Sequence, residues 1–128
     1  MENFSYLAVL IGGIAFFALG AIWYSFLFQK PWAADMGIDT SAAPAKPPVG
    51  PLAATFVVSL IVAYVVEFFV RDGDLGFGLC RGALVGIAMG AVVAQNGFFD
   101  PRPNRLTWIN AGFPVVGGVI VGAIAAAL

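Results

Sequence analysis

The chain has 128 residues, of which 61% are hydrophobic and 10% charged, with a formal net charge of −1. So few charges cannot coat a soluble domain, and the composition makes lipid the main solvent. The lack of a basic block excludes nucleic-acid binding; the lack of histidine, with Cys80 as the single cysteine, excludes an intramolecular disulfide and a His/Cys metal set.

The first apolar run extends from Phe4 to Phe28. The charge preceding it is the acidic Glu2 rather than a basic cluster, and the run outlasts a signal-peptide core. It therefore reads as a retained membrane helix. Its far end carries Trp23, Tyr24, Lys30 and Trp32, the residue types that settle at the headgroup layer. Trp23 and Tyr24 lie one to two turns inside, which points to packing against the last helix, whose Trp108 is on the same side. The connection from Gln29 to Pro51 holds Asp35, Asp39, Lys46 and the prolines Pro31, Pro44, Pro47, Pro48 and Pro51. A short interfacial turn after Pro31 and an extended Ala/Pro stretch beyond it are expected.

The second run, Leu52 to Val70, places Thr55, Ser59, Ala63 and Glu67 four residues apart on one face. A tight turn, Arg71-Asp72-Gly73-Asp74, leads to the third run, Phe77 to Phe98. There Gly78, Gly82, Gly86, Gly90 and Ala94 form a stripe along which another backbone can approach closely. After Asp100-Pro101-Arg102-Pro103-Asn104-Arg105 comes the fourth run, Ile109 to Leu128. Its matching face holds Asn110, Pro114, Gly118, Gly122 and Ala126, and Pro114 frees the carbonyl of Asn110. Each run is close to the roughly 20 residues that cross a bilayer. The expected fold is all-α: one polytopic membrane domain over residues 1–128, a compact bundle of four transmembrane helices spanning about 4–28, 52–70, 77–98 and 109–128.

An acidic side chain inside a span suggests function by default. Glu67 and Arg81 flank the second turn at similar depth, and an intramembrane ion pair between them explains both. A proton or ion path through Glu67 is the alternative. Gln95 and Asn96 are expected to bond to neighbouring spans or headgroup water, with Asn110 facing them. No Ser, Tyr or Glu has a base arrangement, and no phosphate-binding or dinucleotide motif occurs, so no catalytic, metal or cofactor residues are expected.

The block Gly20-x-x-Trp23-Tyr24-Ser25 … Phe28-x-Lys30-x-Trp32 resembles the signature of a widespread bacterial family catalogued as domain of unknown function 1761. The likeness extends to Arg105 and Leu106 through Asn110-Ala111-Gly112. Here Phe26 stands where the family pattern has proline, and Gln29 where it has glycine. The resemblance implies a bacterial membrane location and no reaction.

The reading that follows is a non-enzymatic integral membrane protein. It packs as an accessory or scaffolding subunit into a larger membrane complex or into a homo-oligomer, with lipids and other transmembrane subunits or its own copies as partners. A small oligomeric transporter or channel is the second reading. The basic residues of the two longer loops, Lys30, Lys46, Arg102 and Arg105, outnumber Arg71 and Arg81. That bias places the loops in the cytoplasm and both termini outside the inner membrane.

Overall fold

A computed structural model describes residues 4–24, 29–37, 49–71 and 73–128. Within them the chain forms α1 (Tyr6–Ile22), α2 (Gln29–Met36), α3 (Val49–Val70), α4 (Leu75–Phe98) and α5 (Asn104–Ala127). The fold is an all-α bundle with several long apolar helices, the build of a polytopic membrane protein. Three helices, α3, α4 and α5, are long and apolar enough to cross a membrane by length and composition. The expected first span is shorter as an α-helix. At 17 residues, α1 starts after its N-cap Ser5 and gives way to a π turn at Trp23 and Tyr24.

The other helices begin earlier than the apolar runs do. Pro51 sits in the first turn of α3, where its missing N–H costs nothing. Asp74 caps α4, its carboxylate accepting the Phe77 N–H at 2.8 Å. Asn104 and Arg105 form the polar first turn of α5, after Pro103. The interfacial turn expected after Pro31 is a two-turn helix, α2, which also has its proline in the first turn. Gly37 ends α2 at φ +74°, a left-handed stop that favours glycine. The Ala/Pro stretch of the first connection, with Asp39 and Lys46, lies outside the described residues.

The bundle is centred on α5, which packs against α1, α3 and most extensively α4. On one side Phe16, Ala63, Val66, Val70, Val121 and Ala125 form the buried core of the α1–α3–α5 triangle. Gly12 and Gly13 bring α1 close to Ala63 and Leu60 of α3. On the other side, α4 and α5 meet along their glycines. A methyl group added to Gly78 would strike the carbonyl of Gly122; one on Gly82 would strike that of Gly118. The converse holds for Gly122 and Gly118. Farther along, Gly86 faces the Pro114 carbonyl and Gly90 that of Ala111. The backbones are therefore in direct contact, where dispersion and weak Cα–H···O contacts supply the adhesion that lipid cannot.

The outward-facing residues are mostly large and apolar, including Leu10 and Ile14 of α1, Val58 and Ile61 of α3, and Leu84 and Val92 of α4. Hydroxyls that fall in the apolar layer are satisfied locally. Thr55 Oγ1 donates to the Pro51 carbonyl at 2.8 Å, and the buried Ser59 Oγ to the Thr55 carbonyl at 2.9 Å.

The glycine contact gives a direct test. Gly82→Ala should lower stability by about 1–3 kcal/mol because its methyl meets backbone that cannot yield. Gly50→Ala, where a Cβ meets nothing, should stay within about 0.5 kcal/mol of the parent. Unfolding of the full chain in one detergent, followed by circular dichroism, compares the two.

Candidate functional site

The polar side chains collect at the two ends of the bundle. At the end where α1 begins, Glu67 is 1% exposed. Its Oε1 accepts the backbone N–H of Ser5 at 3.0 Å, while Ser5 Oγ accepts the N–H of Ala8 at 3.0 Å. This is a capping box whose acid comes from another helix: Ser5 supplies the first half, and Glu67 replaces the acidic residue absent at Ala8. The carboxylate also lies at the positive end of the α1 dipole. An open, mostly polar cavity of about 420 Å³ adjoins it, lined by Glu67, Arg71, Gly73 and Ala125 to Leu128.

The expected Glu67–Arg81 ion pair is not formed. Both residues lie near the α3–α4 turn, but they point in different directions. Glu67 faces the α1–α3–α5 triangle. Arg81 is about 100° round α4 from Gly82, off the face that meets α5. It is exposed, with its guanidinium 4.5 Å from the centroid of the Phe77 ring. The short turn fixes depth but not rotation, and α4 packs against α5 far more than against α3. Cys80, beside it, is exposed.

At the opposite end, Trp23 and Tyr24 turn inward rather than outward. Trp23 Nε1 donates to the Ile109 carbonyl at 2.9 Å, and Tyr24 Oη donates to Asn110 Oδ1 at 2.9 Å. Both rings pack against Phe113, as does Phe16. The two side chains continue the face of Phe16 and Gly20, about two helical turns on, and so meet the turn of α5 that precedes Pro114. Trp108 is on the same side but faces outward, 61% exposed, in a T-shaped contact with Phe98. Lys30 is exposed on α2, and the Trp32 side chain lies outside what the structure describes. Gln95 and Asn96 are exposed at the end of α4. Asn96, Asn110, Thr107 and Asp100 border a shallow hollow of about 220 Å³.

The short helix α2 is clamped to this end. Arg105 Nε and Nη2 hold the two carboxylate oxygens of Asp35 at 2.9 and 2.7 Å, a bidentate pair with the Asp35 side chain only 5% exposed. Arg102 grips Asp100, its Nε lying 2.9 and 3.0 Å from the two oxygens, and touches Met36 Sδ. The Arg105 guanidinium hydrogen-bonded to Asp35 holds that carboxyl below its usual range. Hydrogen bonds from Arg102 bring Asp100 down to about 2.

A family model matches residues 7–126. The chain belongs to the family described as Protein of unknown function (DUF1761). The match takes in all five helices, including the Trp23-Tyr24 block and the Asn110 turn that receives it. No curated protein and no solved structure matches this DUF1761 chain.

Sequence reasoning missed Ser5, Asp35 and Phe113. For Ser5 a signal exists, since Ser5-Tyr6-Leu7-Ala8 is a capping box without its acid. For Asp35 the signal is only that it shares a loop face with Arg105, since the partner is 70 residues away.

The clamp titrates in a defined direction. A carboxyl held low in the fold stabilises it above the ordinary carboxylate range, and that contribution drains away as pH falls, for Asp100 between 3.8 and about 2. Asp35→Asn should remove the α2 clamp at neutral pH. Amide exchange over residues 29–36 should quicken by roughly two- to fivefold while exchange in α5 stays unchanged. Hydrogen-exchange mass spectrometry at pH 7 reads both.

Proposed function

We propose that this chain is a non-enzymatic, four-span protein of the bacterial inner membrane that packs into an assembly, as an accessory subunit or with copies of itself. The observation that carries the reading is an open apolar groove of about 300 Å³ between α4 and α5. It is lined by Ile87, Gly90, Ala91, Ala94, Ala111 and the exposed Trp108, among others. Its floor is small and its rim holds a large aromatic ring, a shape suited to a helix from a neighbouring chain.

The glycine stripes themselves are used inside the bundle, and the groove beside them is open to a partner. α1 supports a fourth crossing. Its 17 residues rise roughly 26 Å at 1.5 Å each, close to the ~30 Å hydrocarbon layer, and the π turn adds to that length. The loop-side basic residues favour both termini outside the cytoplasm.

Ala91→Trp fills the groove without touching the α4–α5 contact. Extracted in mild detergent, the native protein should keep a fixed mass ratio to its partner, and the variant should lose at least half of it while remaining helical. An unchanged ratio in the variant would remove the groove from the account.

A second reading, transport through an oligomer, is favoured by one observation: Glu67 is buried yet borders the polar end cavity. Under that reading, Glu67→Gln abolishes ion or proton flux in reconstituted vesicles. Under the structural reading there is no flux to abolish, and the same substitution loosens the α1 cap, costing about 1–3 kcal/mol.

A further inference from the structure

Arg81 is the one charged residue of α4, and it stands on the outer face of that helix, six residues after the start. Its Cα is roughly 9 Å along the helix axis, inside the apolar layer. A guanidinium there must reach a polar or anionic partner. Among the described residues no carboxylate pairs with it.

The side chain is already turned toward the membrane surface. Its guanidinium lies over Phe77, one helical turn nearer the start of α4. Phe77 also walls an open hollow of about 310 Å³ at the α3–α4 turn, with Arg71, Gly73 and Asp74. Arg71 is held in the same way, 5.0 Å over the Phe68 ring. The Phe77 face thus braces the Arg81 guanidinium, which holds the fork in place and reduces the entropy lost when it binds. Asp74 is engaged as the cap of α4. Its charge repels a dianionic phosphomonoester more than a monoanionic phosphodiester, so the diester is the better fit.

We propose that Arg81 binds the phosphodiester of a membrane phospholipid whose headgroup rests in the hollow at the α3–α4 turn. The planar fork donates two hydrogen bonds to phosphate oxygens, while Phe77 supports it from behind. The proposal rests on the membrane reading above.

The full chain in dodecyl maltoside micelles doped with phosphatidylglycerol, examined by native mass spectrometry, tests it. The parent should retain one lipid, and Arg81→Gln should need about tenfold more lipid for the same occupancy. Arg81→Lys should fall between them, and it keeps the test readable if the glutamine variant fails to fold. Arg102→Gln, at the other end of the bundle, should match the parent. Equal retention by parent and Arg81→Gln overturns the proposal, as does an equal loss in Arg102→Gln. A changed protein stoichiometry with unchanged lipid would assign Arg81 to a carboxylate of another subunit, and also overturns it. A parent chain that stays dispersed without detergent would instead sink the membrane reading itself.

Discussion

The architecture depends on two backbones being allowed to touch. Along α4 and α5 the glycines at 78, 82, 118 and 122 remove every side chain that would hold the helices apart, and each faces the other's carbonyl. In a lipid solvent no hydrophobic force drives helices together, so adhesion comes from close packing alone. That constraint sets the rotation of α4. With its glycine face committed to α5, Arg81 has to point outward and Ala91 to border a groove. The exposed chemistry of α4 is therefore a by-product of where its glycines lie.

The rest of the bundle is tied by polar contacts at its two ends. At one end Glu67 completes the cap of α1; at the other Trp23 and Tyr24 fasten the far end of the same helix to α5. Arg105 holds α2 against the start of α5. In between, α1, α3 and α5 share a core of small and branched side chains. The arrangement suits a medium that offers hydrogen-bond partners only near its surfaces: strong polar contacts lie at the ends, and hydroxyls deeper inside return to their own helix.

Much of this was legible in the sequence. Apolar runs separated by Pro- and Asp-bearing breaks located α3, α4 and α5 to within a few residues, because chain polarity changes sharply at a membrane boundary. The stripe in α4 and its match in α5 were visible because spacing of four marks one helical face. The sequence marked the Ser59–Ala63–Glu67 face of α3 but not the neighbour it meets. Glu67 and Arg81 sit at similar depth near a tight turn, and sequence alone cannot distinguish facing from diverging side chains. The contact Glu67 makes instead is with Ser5, 62 residues earlier. The depth of Trp23 and Tyr24 did point to α5, but not to the particular acceptors, the Ile109 carbonyl and Asn110 Oδ1. The helical form of residues 29–36 was hidden by the prolines around it.

The cap on α1 has a consequence for how the chain is made. Its acid lies in α3, so during synthesis the first helix leaves the ribosome with its opening turn incomplete and waits for the second long helix to return beside it. The same holds at the other end, where the bonds from Trp23 and Tyr24 to α5 wait for Ile109 and Asn110 to arrive. α4, too, emerges with a bare glycine face that only α5 covers. Each early segment is thus finished by a later one, and the bundle closes only after its last helix is in place, so a ribosome that stalls before α5 leaves behind a set of helices with open faces.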